Sequence, residues 1–108
     1  MDNRHNEILT AIEARAHQVV PKDAVVLLFG SQARGDVHDG SDWDLLILLN
    51  KPRVELKDYD EVAFPLRQLG WELGEMVNPI LYSFADWEKQ SITPFYHNVT
   101  RDSIRLWD

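Results

Sequence analysis

The sequence predicts an α/β fold of the mixed α+β kind, a small mixed β-sheet flanked by helices, and three features of the chain lead there. Ala24 to Phe29 and Asp42 to Leu49 are strand-sized and mostly apolar. Ile8 to Val19 and Asp58 to Leu73 instead repeat their apolar residues at helical spacing. The interval between the two strands, Gly30 to Ser41, is too short for the crossover that a parallel return requires. The strands are therefore expected to run antiparallel, the end of the first beside the start of the second.

In chain order, Ile8, Ala11, Ile12, Ala16 and Val19 form one apolar stripe on an otherwise charged helix, which Pro21 ends. Ala24 to Phe29 is apolar throughout, as for a strand covered on both faces, and stops at Gly30, which permits a positive φ. Gly30 to Ser41 is polar, holds three glycines and leaves room for only a short helical piece. Asn50 to Pro52 closes the second strand. In the next helix Val62, Leu66, Leu69 and Leu73 form the stripe, Pro65 either kinks it or starts its stronger half, and Gly74 stops it. Met76 to Tyr82 reads as a third strand, and Pro79, with no N–H for a ladder, assigns it to an edge or a bulge. Ser83 is placed to cap a short helix through Gln90, and Thr93 another that begins at Pro94. Ile104 and Leu106 either form a last short strand or simply pack.

The length, 108 residues, fits one domain over 1–108 and excludes a multi-domain enzyme. Size scaling buries roughly two thirds of the unfolded surface, and a 44% hydrophobic content can supply that core. Eleven Lys and Arg against eighteen Asp and Glu give a net charge of -7, which repels nucleic-acid duplexes unless a local basic patch or a metal reverses the field. There is no cysteine, so disulfides, thiolate nucleophiles and cysteine-ligated zinc are excluded. No apolar run is long enough for a membrane helix, and Met1 to Glu7 lack a secretory pattern. The expectation is a soluble cytoplasmic protein without membrane contact.

The chemistry concentrates between Gly30 and Asp44. Asp42 and Asp44, two apart on a strand, face the same side with Cβ atoms about 6–7 Å apart, a spacing that carboxylates can close onto one or two divalent ions. Trp43 points the other way. Like charges at the mouth of an apolar strand repel, so a cation that offsets them, Mg2+ by its oxygen ligands, makes sense of their placement. The plainer reading is a charged strand end that keeps the protein soluble. Gly30 lets backbone N–H groups approach an anion, and Ser31 can donate its hydroxyl to a phosphate oxygen. Arg34 can neutralise a phosphate or leaving group, or form a surface ion pair with Asp36 or Asp39. The histidines His5, His17, His38 and His97 have no metal-ligand spacing. Trp71, Trp87 and Trp107 are expected to pack in a core or interface, and Phe95, Tyr96 and Trp107 could together expose an apolar patch for a partner.

Gly30, Ser31, Arg34, Gly35, Asp42 and Asp44 resemble, at the right spacing, the signature of the nucleotidyltransferases of the DNA polymerase beta superfamily: glycine and serine, ten intervening residues, then aspartate, any residue, aspartate. The resemblance is to the minimal bacterial type often paired with a HEPN partner. It implies the nucleotidyltransferase fold and transfer of a nucleoside monophosphate, AMP favoured, from a nucleoside triphosphate to an acceptor hydroxyl with release of pyrophosphate. It assigns Asp42 and Asp44 to magnesium and Gly30, Ser31 and Arg34 to the nucleotide. The family usually carries a third acid on a later strand, and the corresponding strand here reads Met76, Val77, Asn78, Pro79, Ile80. Glu75 is the nearest substitute; Asn78 could offer a metal its carbonyl oxygen but would be a poor base. The alternative is a weak or inactive module that binds nucleotide, a partner protein or both, such as the antitoxin half of a toxin-antitoxin pair. A homo-oligomer is a further way to supply what the short chain lacks.

Overall fold

A computed structural model of the chain describes residues 3–35 and 42–106. The expectations placed on Asp36, His38, Asp39 and Trp107 fall outside these residues. The elements run α1 (Asn3–Val19), β1 (Val25–Phe29), α2 (Ser31–Arg34), β2 (Trp43–Leu49), α3 (Leu56–Asp58), a π-helical turn (Tyr59–Ala63), α4 (Phe64–Leu73), β3 (Val77–Ser83), α5 (Phe84–Glu88), α6 (Pro94–Asp102) and β4 (Ile104–Arg105).

The four strands form one mixed sheet in the order β3-β2-β1-β4. β1 and β2 are antiparallel neighbours, Phe29 opposite Asp44, as the short connection required. β3 lies parallel to β2, reached through the α3–α4 crossover, and takes the edge that Pro79 assigned to it. The tail resolves as a strand: β4 pairs antiparallel with β1, and Leu106 N donates to Val26 O at 2.9 Å.

Strand alternation divides the core between the two faces. Trp43, Leu45, Ile47 and Leu49 pack with Ile8, Ile12 and Ala16 of α1 and Leu66 and Leu69 of α4. Leu46 and Leu48 pack with Trp87 of α5 and Val99 of α6 on the other face. Phe95 and Tyr96 are half-buried against this second cluster, in ring contact with Trp87, and the apolar patch expected of them with Trp107 lies partly outside the described residues. Trp71 is 57% exposed and meets Phe64 edge to face at 5.9 Å, which sets aside the core and leaves the interface of the two roles expected of it. Pro65 opens α4 directly after the π turn, which absorbs one extra residue so that Val62, Ala63, Leu66 and Leu69 are all buried. Gly74 ends α4 in the left-handed conformation, and Ser83 and Thr93 cap α5 and α6 by accepting from Asp86 N and Tyr96 N. α1 begins at Asn3, earlier than its apolar stripe, because its first turn is held by distant partners: Arg4 donates to Leu73 O at 2.7 Å and His5 stacks on Trp43 at 4.8 Å. Among the described residues no helix is long and apolar enough to cross a membrane.

Candidate nucleotide site

The site forms where β1 ends and β2 begins. Gly30 leaves β1 at φ 78° and ψ -161°, a conformation that essentially only glycine adopts. The chain then makes the single turn of α2, with Ala33 N and Arg34 N both donating to Gly30 O at 3.1 Å. A helical turn leaves its first N–H groups outside its own ladder, and that of Ser31 comes first here. Gly35 closes the turn in the left-handed conformation.

Antiparallel pairing sets this turn against the acids. The carboxylate of Asp44 fills the space where a side chain on residue 30 would go: a Cβ on Gly30 would stand 2.5 Å from Asp44 Oδ2. Asp42 is exposed, Asp44 half-buried and Trp43 only 1% exposed on the opposite face, as alternation required. From the β3 side, Asn78 stands opposite Asp44 in the register. Its Nδ2 donates to Asp42 Oδ2 at 2.9 Å and to Asp44 Oδ1 at 3.4 Å. Burial raises the Asp44 carboxyl above its ordinary 3.8; the Asn78 hydrogen bond pulls it down, the Asp42 charge pushes it up and the Arg34 charge lowers it. Arg34 therefore acts on Asp44 electrostatically while lying exposed at the end of α2.

Glu75 lies on the other side of the sheet from the acid pair. Its Oε1 accepts from Trp43 Nε1 at 3.1 Å and its Oε2 from Arg4 at 3.2 Å. Both partners belong to the α1 side of the sheet, so Glu75 holds the ring between the two acids in sequence and does not join the acids themselves. The residue beside the pair is Asn78, and it presents its amide nitrogen, because ionised carboxylates only accept hydrogen bonds. The sequence indicated an amide in this strand but not its register. Among the described residues no group of three or more His, Cys, Asp or Glu side chains gathers as a metal cluster. The donor set that remains, two carboxylates beside a glycine cradle, suits Mg2+, which takes one or two carboxylates and completes its octahedron with water and phosphate oxygens.

A mixed sheet with a glycine-serine turn packed on an Asp-x-Asp pair defines a nucleotidyltransferase-type domain. The model of the nucleotidyltransferase domain family matches residues 6–96, and the chain belongs to that family. Among solved structures, the crystal structure of a toxin-antitoxin with AMP-PNP is similar in fold, with a TM-score of 0.65 and 23% sequence identity, covering 92% of this chain and 72% of that one. Among curated proteins none matches significantly.

Proposed function

We propose that the chain, acting as one domain over 1–108 in the cytoplasm, binds a nucleoside triphosphate with Mg2+ at the mouth of β1 and β2. It transfers the nucleoside monophosphate, AMP in preference, to an acceptor hydroxyl. The observation that carries this reading is the seating of the Asp44 carboxylate on Gly30, which brings the glycine-serine turn and the aspartate pair to one corner. Family membership supports the reaction class. The AMP-PNP in the similar structure supports an adenine nucleotide, and its toxin-antitoxin setting supports a protein partner. The partner is a HEPN-type protein or, failing that, a second copy of this chain.

In this reading Ser31 and the first N–H groups of α2 hold the distal phosphates, Arg34 offsets their charge, and Asp42 and Asp44 hold the magnesium. A magnesium held by Asp42 and Asp44 would supply Lewis-acid chemistry, making the α phosphorus more electrophilic. The acceptor oxygen forms a bond to that phosphorus and gives its proton to water as the bond to pyrophosphate breaks. Charge grows on the departing pyrophosphate, where the fixed N–H groups and Arg34 stabilise the transition state more than the ground state.

A second reading has a specific observation behind it. The acceptor hydroxyl must lose a proton, and Asn78, a side chain without basicity, occupies the place beside the pair. That favours a module which binds nucleotide and a partner without turnover, the role of an antitoxin half. Pyrophosphate release with Mg2+ and each nucleoside triphosphate, with and without candidate partners, separates the two. Release above an Asp42→Asn control establishes the transferase. Metal-dependent nucleotide binding by calorimetry with no release establishes the idle module, and absence of both rejects the site.

A further inference from the structure

We propose that this site holds a single divalent cation and that Asn78 sets that number. The proposal rests on the nucleotide-binding reading above and adds to it the metal content of the site. Asn78 Nδ2 reaches both acids, at 2.9 Å to Asp42 Oδ2 and 3.4 Å to Asp44 Oδ1. The two hydrogens of a neutral amide thus lie where the paired negative charges call for a cation. They tie the acids together from the β3 side through Asp42 Oδ2 and Asp44 Oδ1, and the proposed cation takes the other oxygen of each acid, Asp42 Oδ1 and Asp44 Oδ2. Asp44 Oδ2 is the oxygen seated against Gly30, on the side of the phosphate-binding turn.

One Mg2+ on these two oxygens needs no further protein ligand, since water and phosphate complete its shell. A second ion is a different matter. Two-metal sites keep their ions about 3.5–4 Å apart, so four positive charges must be offset by the surrounding carboxylates and phosphates. Here the third side chain at the pair is an uncharged amide. Glu75, the nearest acid on that strand's approach, is taken by Trp43 and Arg4 across the sheet. Asn78 therefore serves as a built-in partial substitute for the second cation: it links the acids when metal is absent and contributes no charge to retain another ion when metal is present.

The test counts Mn2+, a spectroscopic stand-in for Mg2+, bound to the 108-residue chain saturated with AMP-PNP, using electron paramagnetic resonance alongside calorimetry of the nucleotide. The native chain should hold one Mn2+ per bound nucleotide with no spin-coupled pair. Asn78→Asp should hold two, with the signature of coupled ions. Asn78→Ser, which adds no charge, should hold one, and together with the native count it keeps the test intact if three unscreened acids prevent Asn78→Asp from folding. Two ions on the native chain with normal nucleotide binding overturn the proposal and leave the nucleotide reading standing. A folded Asn78→Asp chain that still holds one ion also overturns it. Absence of both nucleotide and Mn2+ overturns the proposal and that reading together.

Discussion

Gly30→Ala is the substitution on which the architecture of the corner depends most directly. The backbone at φ 78°, ψ -161° lies in a region that costs a side-chain-bearing residue about 1–3 kcal/mol. The new Cβ would also stand 2.5 Å from Asp44 Oδ2. That oxygen ends a side chain and can swing away, but doing so breaks the bond that Asn78 donates to Asp44 Oδ1, worth about 0.5–1.5 kcal/mol. The total is about 2–4 kcal/mol, and at about 4–8 °C per kcal/mol for a domain of this size the Tm should fall by about 8–32 °C. Gly74→Ala is the control. Gly74 also has a positive φ, 70°, yet a Cβ there meets no atom within 4 Å among the described residues, so only the left-handed penalty of about 1–2 kcal/mol applies. Thermal unfolding of the metal-free proteins compares them, and calorimetry with AMP-PNP and Mg2+ should show at least a tenfold weaker complex for Gly30→Ala alone. Equal losses of stability in the two variants would refute the claim that the turn is packed on the Asp44 carboxylate.

Three further outcomes follow from the same geometry. Gly70→Ala gains helix propensity worth about 1 kcal/mol. Its Cβ would nevertheless lie 2.9 Å from Glu75 O and 3.0 Å from Val77 N, backbone atoms that cannot move aside, so the urea midpoint should fall, by the equivalent of about 1–3 kcal/mol. Asp44 has its carboxyl raised, chiefly by burial, so the folded chain takes up a proton more readily than the unfolded one, and the ionised form costs stability at neutral pH. Asp44→Asn should therefore raise the Tm of the metal-free protein at pH 7, with the advantage shrinking as pH falls through the raised value; a lower Tm at pH 7 would count against the assignment. Asp58 behaves oppositely: although burial works against it, Glu55 N at 2.8 Å and Lys51 Nζ at 2.9 Å hold its carboxyl below the ordinary 3.8. Its contribution is present above that ordinary value and lost as pH falls through the lowered one, and Asp58→Ala should cost about 1–2 kcal/mol at neutral pH by denaturant titration.

Much of this was readable from local pattern because local physics decides it. The short interval after Phe29 forces β1 and β2 antiparallel, Pro79 cannot donate to a ladder, and Ser83 and Thr93 stand where helices begin. What escaped the sequence depends on partners far along the chain. The register of β3 is fixed where Gly70 of α4 packs on Val77, and that register brings Asn78, not Glu75, to the acids. Arg4 and His5 extend α1 through contacts with Leu73, Glu75 and Trp43, none of which the periodicity of α1 itself reveals. Phe95 and Tyr96 carry no mark of burial until α5 and α6 bring them to Trp87.

The acid pair is held against its own electrostatics, and the apolar pattern of β2 is what holds it. Every residue from Leu45 to Leu49 is buried, and Trp43 is anchored by the Glu75 hydrogen bond and the His5 stack. A slip of β2 by one residue would exchange its faces, taking Trp43 out of the α1 and α4 cluster and driving Asp44 into it. The cost would combine the exposure of a large aromatic ring with the desolvation of an unpaired carboxylate. The alternation that builds the core therefore aims Asp44 at Gly30. The mutual repulsion of Asp42 and Asp44 persists because relieving it by re-pairing the strand would dismantle far more than it spares.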